Sequence, residues 1–399
     1  MLVFTFPGQG SQRPGMGRAW IEHPSWELVA DASEAAGRHI SHLLLEAPAE
    51  ELKATRNAQL ATFTLSLVIL DAIERTGLEP RTCAGHSLGE YTALVASGAL
   101  GFDDGVRLVV ERGDAMQAAA DTQPGTMAAL VGIDDGDAAA ACQRAEGDVW
   151  VANFNGPGQV VIAGSPDAVT AASEIAKTLG ARRAIPIPVG GAFHTPLMAP
   201  ARDRLRKGLA AATFREPEVP VIANVDARAH SSPSEWPSLL SAQLCSPVRW
   251  AQTLALLGDQ EASVVVEVGP GGVLTGLARR ILKTAQAVSV AVPDDLDALV
   301  AATAGDTPLH AYATAHRGEH LYMSERLVLS PSNGLFAPGE GETIQEGTPL
   351  AVGSLIGTVG SAEVRSPFAG ELRGFLAMKG ERVTEGQPVA WLRTDGEAL

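Results

Sequence analysis

The chain is short of several residue types, and each shortage removes a class of protein. Aromatic residues fill only 5% of the 399 positions, and there are three cysteines. Cys83, Cys142 and Cys245 are odd in number, far apart and without metal-ligand spacing. A disulfide framework and a zinc site are therefore not expected, and a reducing cytoplasm fits. Positive charge is also scarce: 30 Lys and Arg against 46 Asp and Glu give a formal charge of −16. That balance argues against nucleic acid or an anionic membrane surface as a partner, and an acidic partner would need a local basic patch. No apolar run is long enough for a membrane span, and Leu2-Val3-Phe4-Thr5-Phe6 follows Met1 with no basic segment. Neither a signal peptide nor a transmembrane helix is expected.

What remains is mostly aliphatic and small. Hydrophobic residues make up 46% of the chain, which is long enough for one large α/β domain and something smaller. Residues 2–6 read as a buried strand closed by Pro7-Gly8-Gln9-Gly10. Helical periodicity recurs near 25–37, 59–76 and 102–120. Residues 126–190 read as a separate unit of strand, helix, two hairpin strands, helix and strand, the ferredoxin-like order. The α/β pattern returns with a strand at 219–223, a helix near 250–257, a strand at 263–268 and a helix at 271–282. The domains expected are thus a catalytic α/β domain at 1–125 and 191–290, an insert at 126–190, and a linker at 291–325 that includes a helix near 295–304. An all-β module follows at 326–394.

Gly85-His86-Ser87-Leu88-Gly89, with a small apolar lead-in and a helix-forming run behind it, is the pattern of a nucleophile elbow. A serine there sits on a sharp strand-to-helix turn, its hydroxyl exposed and the next backbone N–H free for an oxyanion. The helix N-terminus adds positive potential where negative charge develops. The same pentapeptide also suits an ordinary junction packed with small residues. Acyl transfer further needs a base, a second oxyanion donor and a group that recognises the acyl chain. His194, after Gly190-Gly191-Ala192-Phe193, is the best base. Arg112, on an otherwise apolar helix, offers a guanidinium fork for a carboxylate. The backbone N–H of Gln9 is a candidate second oxyanion donor.

Taken together, these segments resemble the malonyl-coenzyme A:acyl carrier protein transacylases of fatty acid and polyketide synthesis. The resemblance covers about residues 1–290. It rests on Phe-Pro-Gly-Gln-Gly-Ser-Gln at 6–12, Gly-His-Ser-Leu-Gly-Glu-Tyr at 85–91, Glu-Arg-Gly-x-Ala-Met at 111–116 and Asn153 to Gly164. Further matches are Gly-Ala-Phe-His-Thr-Pro-Leu-Met at 191–198, Asn224-Val-Asp-Ala, Ser246-Pro-Val-Arg-Trp250 and Glu267-Val-Gly-Pro-Gly271. It implies an α/β-hydrolase-like domain and the activity of an acyl carrier protein S-malonyltransferase working through a malonyl-serine. Ser87 would be the nucleophile, His194 the base, and the amides of Gln9 and Leu88 the oxyanion hole. Arg112, Phe193, His86 and Asn155 would bind substrate, Phe193 favouring malonyl over methylmalonyl. The carbonyl that orients the base is placed at Arg249, in the Ser-Pro-Val-x-Trp segment. Arg182, Arg183, Arg204, Arg206, Lys207, Arg279, Arg280 and Lys283 are candidates for a carrier-protein landing site. No metal or cofactor is expected. The competing readings are a serine thioesterase or acyl hydrolase, and a non-catalytic scaffold.

The tail contains an internal repeat. Ser330-Pro331-x-x-Gly334, Gly341-Glu342 and Glu346-Gly347-x-Pro349 return as Ser366-Pro367-x-x-Gly370, Gly380-Glu381 and Glu385-Gly386-x-Pro388. Two matching halves of short strands imply a small pseudo-twofold β module. It resembles the biotinyl/lipoyl attachment domain, a barrel-sandwich hybrid that carries its modified lysine between the halves. Here Val359 takes that place. Ala377-Met378-Lys379 mimics the biotin motif but lies inside the second half, so neither biotin nor lipoate is expected.

Overall fold

Leu2–Phe6 and Val264–Val268 are buried at every position. Nearly continuous apolar runs, interrupted only by the buried Thr5 and Glu267, belong in the middle of a parallel sheet covered on both faces. The computed structural model describes residues 1–303, 325–339, 344–345 and 347–393. It contains two units, Met1–Glu74 with Glu79–Asp306, and Arg75–Leu78 with Thr307–Leu399.

In the first unit the order is β1 (Leu2–Phe6), α1 (Leu28–Ala36), α2 (Ile40–Leu45), α3 (Ala49–Leu52), α4 (Thr55–Glu74), β2 (Thr82–Gly85), α5 (Gly89–Ala96) and α6 (Phe102–Thr122). Then come β3 (Thr126–Val131), α7 (Asp135–Arg144), β4 (Val149–Gly156), β5 (Gln159–Gly164), α8 (Pro166–Thr178) and β6 (Arg183–Ile187). The chain continues with α9 (Ala199–Ala211), β7 (Val221–Ile222), β8 (Ala229–His230), α10 (Trp236–Gln243) and α11 (Trp250–Asp259). It closes with β9 (Val264–Val268), α12 (Val273–Ile281), β10 (Gln286–Val290) and α13 (Asp295–Thr303).

The main sheet runs β10-β9-β1-β2-β7-β8 and is parallel except for the last pair. The loops after β1 and β2 leave the same sheet edge side by side. Ligands of open α/β sheets bind at that carboxyl edge. A separate antiparallel sheet, β4-β5-β3-β6, packs its own core of Leu130, Val160, Ile162, Ala172 and neighbours beneath α7 and α8. The strand expected at 2–6 is β1, and the helix expected at 59–76 runs from Thr55 to Glu74. Helices α9 and α10 and strand β10 were not anticipated. Of the expected linker, 304–324 lies outside the described residues.

The second unit has β11 (Glu325–Leu329), β12 (Gly334–Pro338), β13 (Pro349–Leu350), β14 (Leu355–Val359), β15 (Ala362–Arg365), β16 (Gly370–Phe375), β17 (Arg382–Val383) and β18 (Pro388–Arg393). They form two antiparallel sheets, β11-β18-β16-β13 and β15-β14-β12-β17. Strands cross between the sequence halves: β11 pairs with β18, β12 with β17 and β13 with β16. Ser330 and Ser366, the repeated serines, each bond the backbone carbonyl two residues on, at 2.7 and 2.6 Å. Gly341, Glu342 and Glu346 of the repeat lie outside the described residues. Val359 is buried in the core of this unit, and the β14–β15 turn is made by Gly360 and Ser361.

Candidate active site

Strand β2 ends in glycine because nothing larger fits. A Cβ on Gly85 would lie 1.9 Å from the Gly89 carbonyl carbon, and one on Gly89 2.0 Å from the Phe6 oxygen. The close packing of β1, β2 and α5 forces Ser87 into the left-handed region, with φ 54°. A non-glycine residue held there is strained, and such strain persists only where the surroundings impose it. Here Ser87 N–H donates to Asn224 Oδ1 at 2.7 Å, and its carbonyl accepts from Gln243 Nε2 at 2.8 Å.

The hydroxyl is aimed at a histidine. Ser87 Oγ lies 2.7 Å from His194 Nε2. His194 is also left-handed, at φ 61°, and only 4% exposed. Its Nδ1 meets the Gln243 carbonyl oxygen at 2.9 Å. That contact fixes the tautomer: Nδ1 carries the proton and donates it to the carbonyl, leaving Nε2 to accept the serine proton. Burial first, and the nearby Arg112 second, hold His194 down to about 3, so the ring is neutral at physiological pH.

The carbonyl therefore belongs to Gln243, at the end of α10, and not to Arg249. The Arg249 carbonyl accepts the Thr253 N–H within α11, and its Nε braces the Val225 carbonyl at 2.9 Å. The Ser-Pro-Val-x-Trp segment reaches His194 through its first residue, since the Ser246 backbone also hydrogen-bonds the ring. Val248 exchanges backbone hydrogen bonds with Ala152 and Phe154, tying β4 to the main body.

Arg112 comes from α6 and is 1% exposed. Its Nη1 donates to Gln59 Oε1 at 2.6 Å, and its Nη2 to Gln243 Oε1 at 2.9 Å and to Ser87 Oγ at 3.1 Å. The guanidinium carbon sits 5.4 Å from the centre of the Tyr91 ring, within cation–π range. These neutral partners leave a buried cation beside the Ser87 hydroxyl. The nearest carboxyl, Glu90, is pushed by burial up to about 7.

A cleft of about 230 Å³ opens over these groups, bordered by Gln9, Ser87, Arg112, Met116, Asn155, Phe193 and His194. The insert closes one side with Met127, Ile187 and Val189, and α12 the other with Val273 and Leu277. The backbone N–H groups of Gln9 and Leu88 donate to nothing among the described residues. His86 Nε2 is 2.9 Å from Asn155 Oδ1, linking the elbow to the insert, and burial lowers its pKa. Of the basic candidates, Arg204 is already in an ion pair with Glu111 at 2.7 Å.

Residues 3–301 match the model of the acyl transferase domain. The chain belongs to this acyl transferase family. A malonyl CoA-acyl carrier protein transacylase of Escherichia coli K12 is 43% identical over 302 residues, 74% of this chain and 98% of the relative. One of Bacillus subtilis is 40% identical over 301 residues, 74% of this chain and 95% of the relative. Among solved structures, a malonyl-transacylase in complex with its type II PKS acyl-carrier protein superposes with a TM-score of 0.73 at 38% identity. That match covers 76% of this chain and 99% of the other.

Four polar residues of the site, Gln59, Glu90, Asn224 and Gln243, have no role assigned from the sequence, although Glu90 and Asn224 stand in its motifs. Their signal was present. Gln59 and Gln243 each stand between apolar neighbours, Ala58 and Leu60, Ala242 and Leu244, and a buried amide in such a place needs a partner.

Proposed function

We propose that this acyl transferase moves a malonyl group from malonyl-coenzyme A to the phosphopantetheine thiol of an acyl carrier protein, through a malonyl ester on Ser87. The observation that carries the reading is the 2.7 Å Ser87–His194 contact with a buried Arg112 guanidinium 3.1 Å from the same hydroxyl. His194 Nε2 takes the Ser87 proton as Oγ attacks the thioester carbonyl. The amides of Gln9 and Leu88 receive the oxyanion, each such donor worth roughly 3 kcal/mol. Collapse breaks the carbon–sulfur bond, and coenzyme A leaves with the proton from His194. The carrier's thiol then gives its proton to His194 and attacks the ester, and Ser87 is released with that proton. Arg112 pairs with the free malonyl carboxylate, Phe193 limits branching beside it, and His86 with Asn155 shapes the cleft wall.

A thioesterase would use the same elbow, but Arg112 spends a buried charge on the acyl end, which a general hydrolase has no use for. A scaffold has no use for a strained serine facing a neutral histidine. Intact-mass spectrometry after mixing with malonyl-coenzyme A tests the reading. A malonyl adduct on wild type, absent from Ser87→Ala and passed to a holo carrier protein, is expected. Free malonate without a transferable adduct would replace transfer by hydrolysis.

The finer architecture is part of the same reading. The main sheet is taken as α/β-hydrolase-like with domain limits 1–125 and 191–290, and the insert at 126–190 as ferredoxin-like. The sheet order β4-β5-β3-β6 supports the latter. Residues 326–394 are taken as a barrel-sandwich relative of biotinyl/lipoyl domains, and the strand pairing between halves supports that. Burial of Val359 supports an unmodified module, so the untreated protein should show no biotin or lipoyl mass increment. No helix among the described residues is long and apolar enough to cross a membrane, and none of the three cysteines is in a disulfide. A cytoplasmic location accords with both.

A further inference from the structure

Glu90, in the first turn of α5, is 1% exposed, and the transfer chemistry above assigns it no role. Both of its oxygens are occupied. Oε1 accepts the Asn224 backbone N–H at 2.9 Å, and Oε2 accepts Gln243 Nε2. Those two partners hold the rest of the site. Asn224 fixes the Ser87 N–H, while Gln243 holds the Ser87 carbonyl, His194 through its own carbonyl, and Arg112 through Oε1.

We propose that Glu90 is a positioning residue for acyl transfer: by fixing the Gln243 amide it sets Arg112 and His194 in one arrangement around Ser87. A glutamine amide has a donor end and an acceptor end of nearly equal shape, so its environment must choose which way it faces. Arg112 can only donate. Both Glu90 oxygens accept N–H groups, and in its ionised form the carboxyl can only accept, so Glu90 draws Nε2 to itself and leaves Oε1 for Arg112. With the amide reversed, Nε2 would oppose the guanidinium, donor against donor. The charged and titratable groups facing Glu90 are Arg112 from α6, Tyr91 from α5 and Asp226 from the β7–β8 loop.

The inference rests on the acyl-transfer reading, and its test separates the two. Single-turnover acylation by malonyl-coenzyme A and by acetyl-coenzyme A would be followed by intact mass on wild type, Glu90→Gln and Gln243→Met. The second variant keeps the main-chain carbonyl and removes the amide, and it decides the matter if Glu90→Gln does not fold. A misaimed Arg112 should slow malonyl acylation by about tenfold more than acetyl acylation. A merely structural role lowers the active fraction and slows both by the same factor. Equal slowing, or unchanged rates, would overturn the positioning role. Absence of any malonyl adduct on wild type would overturn the transfer reading, and this one with it.

Discussion

Arg112 Nη2 and Ser87 Oγ are 3.1 Å apart, so the hydroxyl that faces His194 also faces a buried guanidinium. The proposed recognition group and the proposed nucleophile are in direct contact. Arg112→Lys keeps the charge but loses the planar fork, and Arg112→Ala loses both. Either change should cut malonyl adduct formation about a hundredfold or more and leave acetyl transfer much less affected. Paired kcat/KM values for the two thioesters check this.

His194 titrates low because its imidazolium would be buried beside Arg112. Removing the guanidinium, as in Arg112→Met, should move the His194 titration upward, though not to its ordinary value, because burial is the larger cause. NMR of the imidazole C–H signals against pH reads this directly. A downward or absent shift would refute the electrostatic link.

The same shift has a stability consequence. The folded-state value of about 3 lies below the ordinary 6.5, so between those limits the unfolded chain binds more protons at this site. This contribution is present above pH 6.5 and is lost as pH falls, by up to roughly 1.4 kcal/mol per pH unit. Glu90 acts in the opposite sense: its value, raised from 4.5 to about 7, makes its contribution fall as pH rises through that window. Urea unfolding of wild type and His194→Gln across pH 4 to 7 isolates the histidine. The variant should lose less stability on acidification.

Gly89→Ala should abolish acylation and destabilise the protein by about 3 kcal/mol, at the upper end of ordinary overpacking. The new methyl would sit 2.0 Å from the Phe6 carbonyl oxygen, and rigid backbone stands on both sides. Thermal melting and the mass assay together check this. A variant that melts like wild type would show that the elbow can relax.

Phe193 lies against the cleft, with its ring edge 2.5 Å from where a Cβ on Gly191 would project. Phe193→Ser should raise the methylmalonyl-to-malonyl kcat/KM ratio by about tenfold, the scale of one extra carbon in an apolar pocket. A ratio unchanged on a folded, active variant would confine Phe193 to packing the insert.

Much of this was legible in the chain because its signals are local. The strand at 2–6, the elbow at 85–89 and the helix carrying Arg112 each follow from consecutive residues. The carbonyl facing His194 was not, and the reason is physical. Any residue can supply a carbonyl, so side-chain identity carries no mark of it, and only the family resemblance, through the Ser-Pro-Val-x-Trp segment, points to Arg249. Gln243, six residues earlier, gained its place from how α10 docks, which periodicity does not report. Elements such as α10 and β10 escape the sequence because their apolar residues are interrupted, as in Trp-Pro-Ser-Leu-Leu-Ser-Ala-Gln and Gln-Ala-Val-Ser-Val, and show no clean period.

The crossed strands of the second unit have a consequence for what either half could do alone. Neither half can complete a sheet alone, since β11, β12 and β13 each find a partner in the other half. A chain carrying a single half would satisfy those edges only by pairing with a copy of itself about a twofold axis. The repeat is in this sense a homodimer made covalent, its two subunits joined at the Gly360–Ser361 turn.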